Sequence, residues 1–150
     1  MAGELQGRTA LVTGASRGIG LAIARELIDA GAWVAMVART SEPLARAAES
    51  VAGHAIPADV STTEGVHTLA TYLGEVLGDA PDLIVSAAGA FSLARLDQAS
   101  PEDFDRQIAA NLRAPFLLVR AFLPAMLRRR GGHVEGDVAG ELVTGHGTRP

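Results

Sequence analysis

The chain contains no cysteine, which excludes disulfides, thiolate metal sites and the small disulfide-stapled folds. It contains no lysine either, since all thirteen basic residues are arginine, although lysine is ordinarily among the commonest residues. The bias itself fits codon usage in a GC-rich genome. Chemically, it rules out any mechanism in which this chain supplies its own lysine. Aromatics are scarce, with a single tyrosine, Tyr72, and a single tryptophan, Trp33. The histidines, His54, His67, His133 and His146, show no metal-ligand spacing, and no metal is expected. No run approaches the roughly 18 consecutive apolar residues of a membrane span, and Met1 to Arg8 has no apolar core of signal-peptide length. A formal net charge of -4 does not suit a nucleic-acid surface. The expectation is a cytoplasmic protein without membrane or nucleic-acid partners.

What is present reads as one globular domain. At 150 residues, 48% of them hydrophobic, the chain can bury a core of its own. Short apolar runs alternate with helical periods. Thr9–Thr13 reads as a buried strand. Ile19, Ala22, Ile23, Leu27 and Ile28 then share one helix face between Gly18 and Ala30, and Gly31 stands where a helix-ending glycine belongs. Trp33–Val37 is a second strand, apolar throughout, as expected of a sheet covered on both faces. A helix near Glu42 to Val51 leads to a strand at His54–Ala58. Ser61 and Glu64 have capping-box spacing ahead of a helix that ends at Gly78. Asp82–Ser86 is a fourth strand, and Ser100-Pro101 opens a helix reaching about Arg130. A fifth strand begins at Gly132-His133-Val134 and then meets Glu135-Gly136-Asp137.

This alternation predicts an α/β fold, a doubly wound parallel sheet of about five strands with helices on both faces. The domain is expected to occupy residues 1–134. The glycine-rich stretch 135–150 reads as an irregular tail, which leaves the sheet incomplete on its C-terminal side.

The chemistry sits in the first strand-to-helix turn, Thr13-Gly14-Ala15-Ser16-Arg17-Gly18-Ile19-Gly20. A helix N-terminus offers unpaired N–H groups and a favourable dipole to a phosphate. Side chains would block that approach, so glycine is needed where backbone must meet phosphate or turn tightly. The alternative, an ordinary tight turn, does not require the strand before and the helix after, and both are present. Gly14, Ser16, Arg17, Gly18, Ile19 and Gly20 are therefore candidate dinucleotide-binding residues of a Rossmann-type unit.

The spacing Gly14, Gly18, Gly20 resembles the glycine motif of the short-chain dehydrogenase/reductase family, and further motifs follow in the family's order over residues 7–134. Asp59-Val60 resembles the pair that family sets beside adenine. Ser86-Ala87-Ala88-Gly89 resembles its Asn-Asn-Ala-Gly motif with both asparagines replaced, which adds Ala87, Ala88 and Gly89 to the candidates. Asn111 matches the asparagine of the family's catalytic tetrad. The resemblance implies an NAD(P)-dependent oxidoreductase that transfers hydride between a cofactor and a small carbonyl or alcohol. NAD-preferring members carry an acidic residue at the end of the second strand; here Ala38 stands there, followed by Arg39. Arg39 and Arg17 together suit a phosphate on the ribose, so NADP is expected over NAD. The alternative is a pair of solvated arginines.

Pro115 lies four residues after Asn111 and has no N–H to give the Asn111 carbonyl. A kink is expected there, serving either the water relay that the resemblance assigns to this asparagine or packing on the sheet. Arg128-Arg129-Arg130 reads as a solvated helix end that favours the helix dipole. Phe104, Ile108, Leu112, Leu117, Leu118, Phe122 and Leu123 form a stripe on the 102–130 helix. That stripe would serve a homo-oligomer or pack on the sheet.

The family's tyrosine and lysine, a Tyr-x-x-x-Lys pair after the fifth strand, have no counterpart. Tyr72 lies in an earlier helix with Val76 four residues on. Val138-Ala139-Gly140 resembles the segment following the family's serine, which places Asp137 at the serine's position. The expectation is a chain truncated before its tyrosine, with or without a local deletion or frameshift, that binds cofactor and is inactive alone. The rival reading is a non-catalytic nucleotide-binding or dimerising module.

Overall fold

The structure, a computed structural model, describes residues 3–136. The expectations for Asp137 and for residues 137–150 of the tail lie outside the described residues. The elements in chain order are β1 (Thr9–Thr13), α1 (Gly18–Asp29), β2 (Trp33–Ala38), α2 (Ser41–Val51), β3 (His54–Pro57), α3 (Thr63–Leu77), β4 (Leu83–Ser86), α4 (Pro101–Ile108), α5 (Ala114–Arg129) and β5 (His133–Gly136). A π-helical segment, Ala109–Arg113, joins α4 to α5.

The strands form one parallel sheet in the order β3-β2-β1-β4-β5. Side chains alternate across it with the period of two that strand geometry imposes. Leu11, Ala35, Val37 and Ile84 enter the core beneath α3 and α5, with Val66, Leu69, Leu73, Leu118 and Phe122. Ala10, Val12, Val34, Met36 and Val85 enter the opposite core, with Ala24 of α1 and Leu44 of α2. Helices thus cover both faces, and the apolar runs of the central strands β1, β2 and β4 follow from that double burial, while the edge strands β3 and β5 keep exposed residues.

Several local expectations need correction. Thr62, not Ser61, caps α3: its Oγ1 accepts the N–H of Gly65 at 3.0 Å. Ser61 is already engaged, because its hydroxyl and N–H both bond the Asp59 carboxylate, at 2.6 and 3.0 Å. β5 runs to Gly136, beyond the expected boundary at 134 and into the stretch read as irregular. Its ladder with β4 holds in register from Leu83↔His133 to Ser86↔Gly136. Backbone pairing does not need an apolar side chain, and exposed Glu135 reaches back to His133 Nε2 at 3.2 Å.

The long helical stretch divides its apolar stripe. Leu117, Leu118 and Phe122 are buried on the sheet, whereas Phe104, Ile108 and Leu112 are exposed. By length and composition alone Pro101–Arg129 is apolar enough to cross a membrane. Here its second half is the core helix of one sheet face.

Arg129 is not a solvated helix end. Its guanidinium donates to the carbonyl oxygens of Ala80, Pro81 (2.7 Å) and Gly131 (2.8 Å). It also stands 3.4 Å from Asp79 and 3.8 Å from Asp82. Asp82 in turn accepts the N–H and the hydroxyl of Thr9 on one oxygen, at 2.9 and 3.0 Å. This clamp ties β1, β4, β5 and the end of α5 together at the N-terminal edge of the sheet. Burial pushes the Asp82 carboxyl up, but the Thr9 hydrogen bonds and the charges of Arg129 and Arg8 together hold it below its ordinary value.

A carboxylate depressed in the folded state adds stability above its unfolded pKa of about 3.9, and loses it as pH falls through the folded value. Asp82→Asn is therefore expected to lower the urea midpoint at neutral pH. The gap to the parent chain should shrink as pH falls from about 5 toward 2. A gap unchanged over that range would refute the clamp's electrostatic part.

Candidate functional site

The chain leaves β1 for β2 on one side and reaches β4 on the other, so the connections diverge above the C-terminal ends of β1 and β4. Open parallel sheets form their ligand crevice at such a point. A cleft of about 670 Å³ opens there. It is lined by Gly14, Ser16, Arg17, Gly18, Ile19 and Gly20 of the first turn, Arg39 after β2, Asp59 and Val60 after β3, and Ala87, Ala88 and Gly89 after β4. The residues singled out in the sequence for a dinucleotide thus converge on one cavity.

The turn's geometry explains its glycines. Gly14 has φ +65°, and a Cβ there would stand 2.7 Å from the Ala87 carbonyl oxygen and 2.8 Å from the Ala88 nitrogen. A Cβ at Gly20 would run into the Gly14 carbonyl. Gly18, at φ +56°, faces open space. Two of the glycines therefore let backbone pack on backbone, while the third combines a left-handed turn with an unobstructed approach.

The N-terminus of α1 has no side-chain cap and no acidic residue in its first turn. By contrast α3 and α4 are capped by Thr62 and Ser100, while α2, whose Thr40 makes no side-chain cap, also opens on the cleft but has Glu42 in its first turn. The orphan N–H groups of α1 thus face the cleft without a side chain to satisfy them, and the helix dipole adds positive potential. Arg17 and Arg39 stand exposed at its rim. Ala38 closes β2 without a carboxylate. The carboxylate nearby is Asp59: the Ser61 hydroxyl lowers its pKa most, against the effect of burial, helped by the Ser61 N–H and the charge of Arg39.

Asn111 does not line the cleft. It lies in the π-helical segment, and its amide spans to the loop after β4. Oδ1 accepts the Ala90 N–H at 2.9 Å and Nδ2 donates to the Ala90 carbonyl at 2.7 Å. The expected kink at Pro115 takes the form of this segment, in which the Ala114 N–H reaches the Ala109 carbonyl. A widened turn beside a proline, which cannot donate, is a recognised cause of helix distortion.

Other residues that shape the cleft carry no motif in the sequence. Thr13 is fully buried, and its Oγ1 accepts the Ala88 N–H at 3.2 Å, fixing the loop after β4 to β1. A lone polar residue ending an apolar strand was the available signal. Arg106, Ala109, Ala110 and Ala114 also line the cleft. Arg106 stands three and four residues before Ala109 and Ala110, a helical spacing that the apolar stripe overshadows in the sequence. The hydroxyl of Ser86, where the family motif has asparagine, is buried without a hydrogen-bond partner among the described residues. Tyr72 is exposed on α3 and not among the cleft's lining residues. A second hollow, of about 490 Å³, lies at the sheet's other end around Thr9, Asp82 and Arg129. Thr9, Asp82 and Arg129 there are engaged in the clamp described above.

The family model for short chain dehydrogenases matches residues 8–134. The chain belongs to that family. It is 40% identical to the rhamnolipids biosynthesis 3-oxoacyl-[acyl-carrier-protein] reductase of Pseudomonas aeruginosa, over 95% of this chain and 59% of that protein. It is 39% identical to a short chain dehydrogenase of Pseudocercospora fijiensis, over 88% of this chain and 45% of the relative. The chain therefore spans about half the length of these curated relatives. Among solved structures, a metagenomic short-chain oxidoreductase in complex with NADP superposes with a TM-score of 0.82. The two are 39% identical, with 88% of this chain and 62% of that chain covered.

Asn111→Ala would leave both backbone groups of Ala90 unpaired, at a cost of about 1–3 kcal/mol. Chemical denaturation should show a correspondingly lower midpoint. An unchanged midpoint would mean that the amide latch contributes nothing.

Proposed function

We propose that this chain is the cofactor-holding part of an NADP-dependent oxidoreductase and transfers no hydride at a useful rate by itself. The observation that carries the first half is the uncapped N-terminus of α1, opening on a cleft whose rim holds Arg17 and Arg39 and whose β2 terminus lacks a carboxylate. A pyrophosphate suits the bare amides of the first turn, with Gly18 leaving room for it. Arg17 and Arg39 offer guanidinium forks to a phosphate on the adenosine ribose. Asp59, ionised and beside Val60, accepts from an amino group such as that of adenine. Ala87, Ala88 and Gly89 leave backbone and small side chains along the remaining wall, where the nicotinamide half would run. A similar protein of known structure is a complex with NADP. Bound there, the cofactor would supply or accept the hydride.

The second half rests on what the chain cannot supply. General acid/base groups are worth roughly 10²–10⁴ in rate, and no lysine occurs in the sequence. A small carbonyl or alcohol substrate belongs to a form that brings a tyrosine and lysine to this cleft. In this reading the sheet from β1 to β5 and its helices form the nucleotide-binding portion, the protein is cytoplasmic, and Asn111 shapes the site through Ala90. The exposed stripe of Phe104, Ile108 and Leu112 favours a secondary reading, self-association through the 102–130 helix.

Trp33 lies at the far end of β2 from the cleft, so calorimetry and thermal shift are the suitable readouts. NADPH is expected to bind and raise the melting temperature, with NADH weaker by about 10-fold or more, as loss of charge-assisted hydrogen bonds implies. Arg39→Ala should erase most of that preference. No NADPH oxidation should accompany a panel of aldehydes and ketones. Absence of binding at millimolar NADPH would overturn the cofactor reading, and steady turnover would overturn the claim of inactivity.

A further inference from the structure

The cleft has a third arginine that neither the glycine turn nor the β2 terminus provides. Arg106 lies on α4, and its guanidinium pairs with Asp103 one helical turn earlier. Both side chains are more than a third exposed or close to it, at 58% and 34%. Arg106 also lines the cleft together with Ala109, Ala110 and Ala114. Ala110 lies one turn after Arg106, and Ala109 and Ala114 flank it within and just after the π-helical segment.

Their heights above the sheet follow from the helix direction. α5 runs from Ala114, buried beside the strands' C-terminal ends, to Arg129, clamped at their N-terminal ends. α4 therefore continues past the C-terminal edge and stands over the cleft. Arg106 therefore sits farther from the sheet than Ala110, and Ala110 farther than Ala114. The wall is thus flat and apolar near the floor and ends in a guanidinium at the rim. Arg113 ties the same helix to the start of α3, donating to Thr63 Oγ1 at 3.3 Å. That contact brings the wall toward the Asp59–Ser61 side of the cleft.

A row of alanine methyls offers nothing to a phosphate and suits the face of a planar ring. Asp59, on the same side, is ionised and acceptor-only, which suits a base bearing an amino group. A guanidinium in line with such a wall, one turn further out, meets the same ring from the solvent side. Planar stacking and cation–π attraction are the interactions it can make there.

We propose that Arg106 is a further cofactor-binding residue, closing over the adenine of the bound dinucleotide and leaving Asp103 as it does so. This rests on the reading of the cleft as a dinucleotide site. The ion pair with Asp103 is a half-exposed surface pair of small worth, so releasing it opposes binding only weakly. Because the contact is to the base, it acts equally on NADPH and NADH, unlike Arg39 and Arg17 at the ribose phosphate.

The test is calorimetric titration of the full 150-residue chain with NADPH, NADH and nicotinamide mononucleotide, for the parent chain and for Arg106→Ala, Arg106→Lys and Asp103→Asn. Arg106→Ala should weaken NADPH and NADH by the same factor, about 3- to 10-fold, the range expected of a partly desolvated cation–π contact. Arg106→Lys should recover only part of this, since lysine lacks the planar stacking surface. Asp103→Asn should bind as tightly as the parent or tighter, and nicotinamide mononucleotide, which has no adenine, should be indifferent to every variant. Unchanged affinity in Arg106→Ala would overturn the proposal while leaving the cofactor reading intact. A loss confined to NADPH would also overturn it, by assigning Arg106 to the ribose phosphate. Failure of the parent chain to bind either dinucleotide would instead remove the reading on which the proposal stands.

Discussion

The close approach of two strand ends governs this structure. At the C-terminal edges of β1 and β4, the backbone of Gly14 lies so near Ala87 and Ala88 that no side chain fits between them. Thr13 holds the same junction from beneath, through its hydroxyl and the Ala88 N–H. Because the sheet order diverges at this junction, the turn after β1 and the loop after β4 frame a crevice, with α4 standing over one side of it. A larger residue at position 14 would push the two walls apart and turn the first amides of α1 away from it.

The two ends of the sheet divide stability from binding. At the N-terminal end the polar groups satisfy one another: Asp82 takes the N–H and hydroxyl of Thr9, and Arg129 takes three carbonyls. At the C-terminal end a helix terminus is left uncapped and arginines stand at the rim without a carboxylate closing β2. Backbone donors without partners are costly when buried and useful when a ligand is to arrive. Asn111 belongs to the first kind of residue in its chemistry and to the second in its location, since it satisfies Ala90 and thereby sets the edge of the cleft.

Periodicity and turn chemistry made most of the fold legible. The apolar central strands, the glycine after α1 and the Ser100-Pro101 start of α4 each correspond to a local rule, and each of these appears where the rule puts it. What escaped depends on contacts distant in sequence or on competition between neighbours. Ser61 and Thr62 are equally good caps by composition, and only the engagement of Ser61 with Asp59 decides between them. Arg129 is indistinguishable in sequence from Arg128 and Arg130 until carbonyls some fifty positions earlier are placed beside it. β5 extends through Glu135 because its partner strand supplies the ladder, which side-chain hydropathy does not report. Within the cleft, the motif-bearing positions converged on one cavity, while the alanine wall and Arg106 were hidden because helical small residues carry no motif.

The central claim is that a dinucleotide rests on the bare amides of the first turn. Backbone amide shifts of isotope-labelled protein, followed during titration with NADPH, test it most directly. The account predicts that the largest changes fall on Arg17 to Gly20, with further changes at Asp59, Val60 and Ala87 to Gly89, and little at Thr9, Asp82 or Gly132. Largest changes at the N-terminal end of the sheet, or none in the first turn at saturating cofactor, would contradict it.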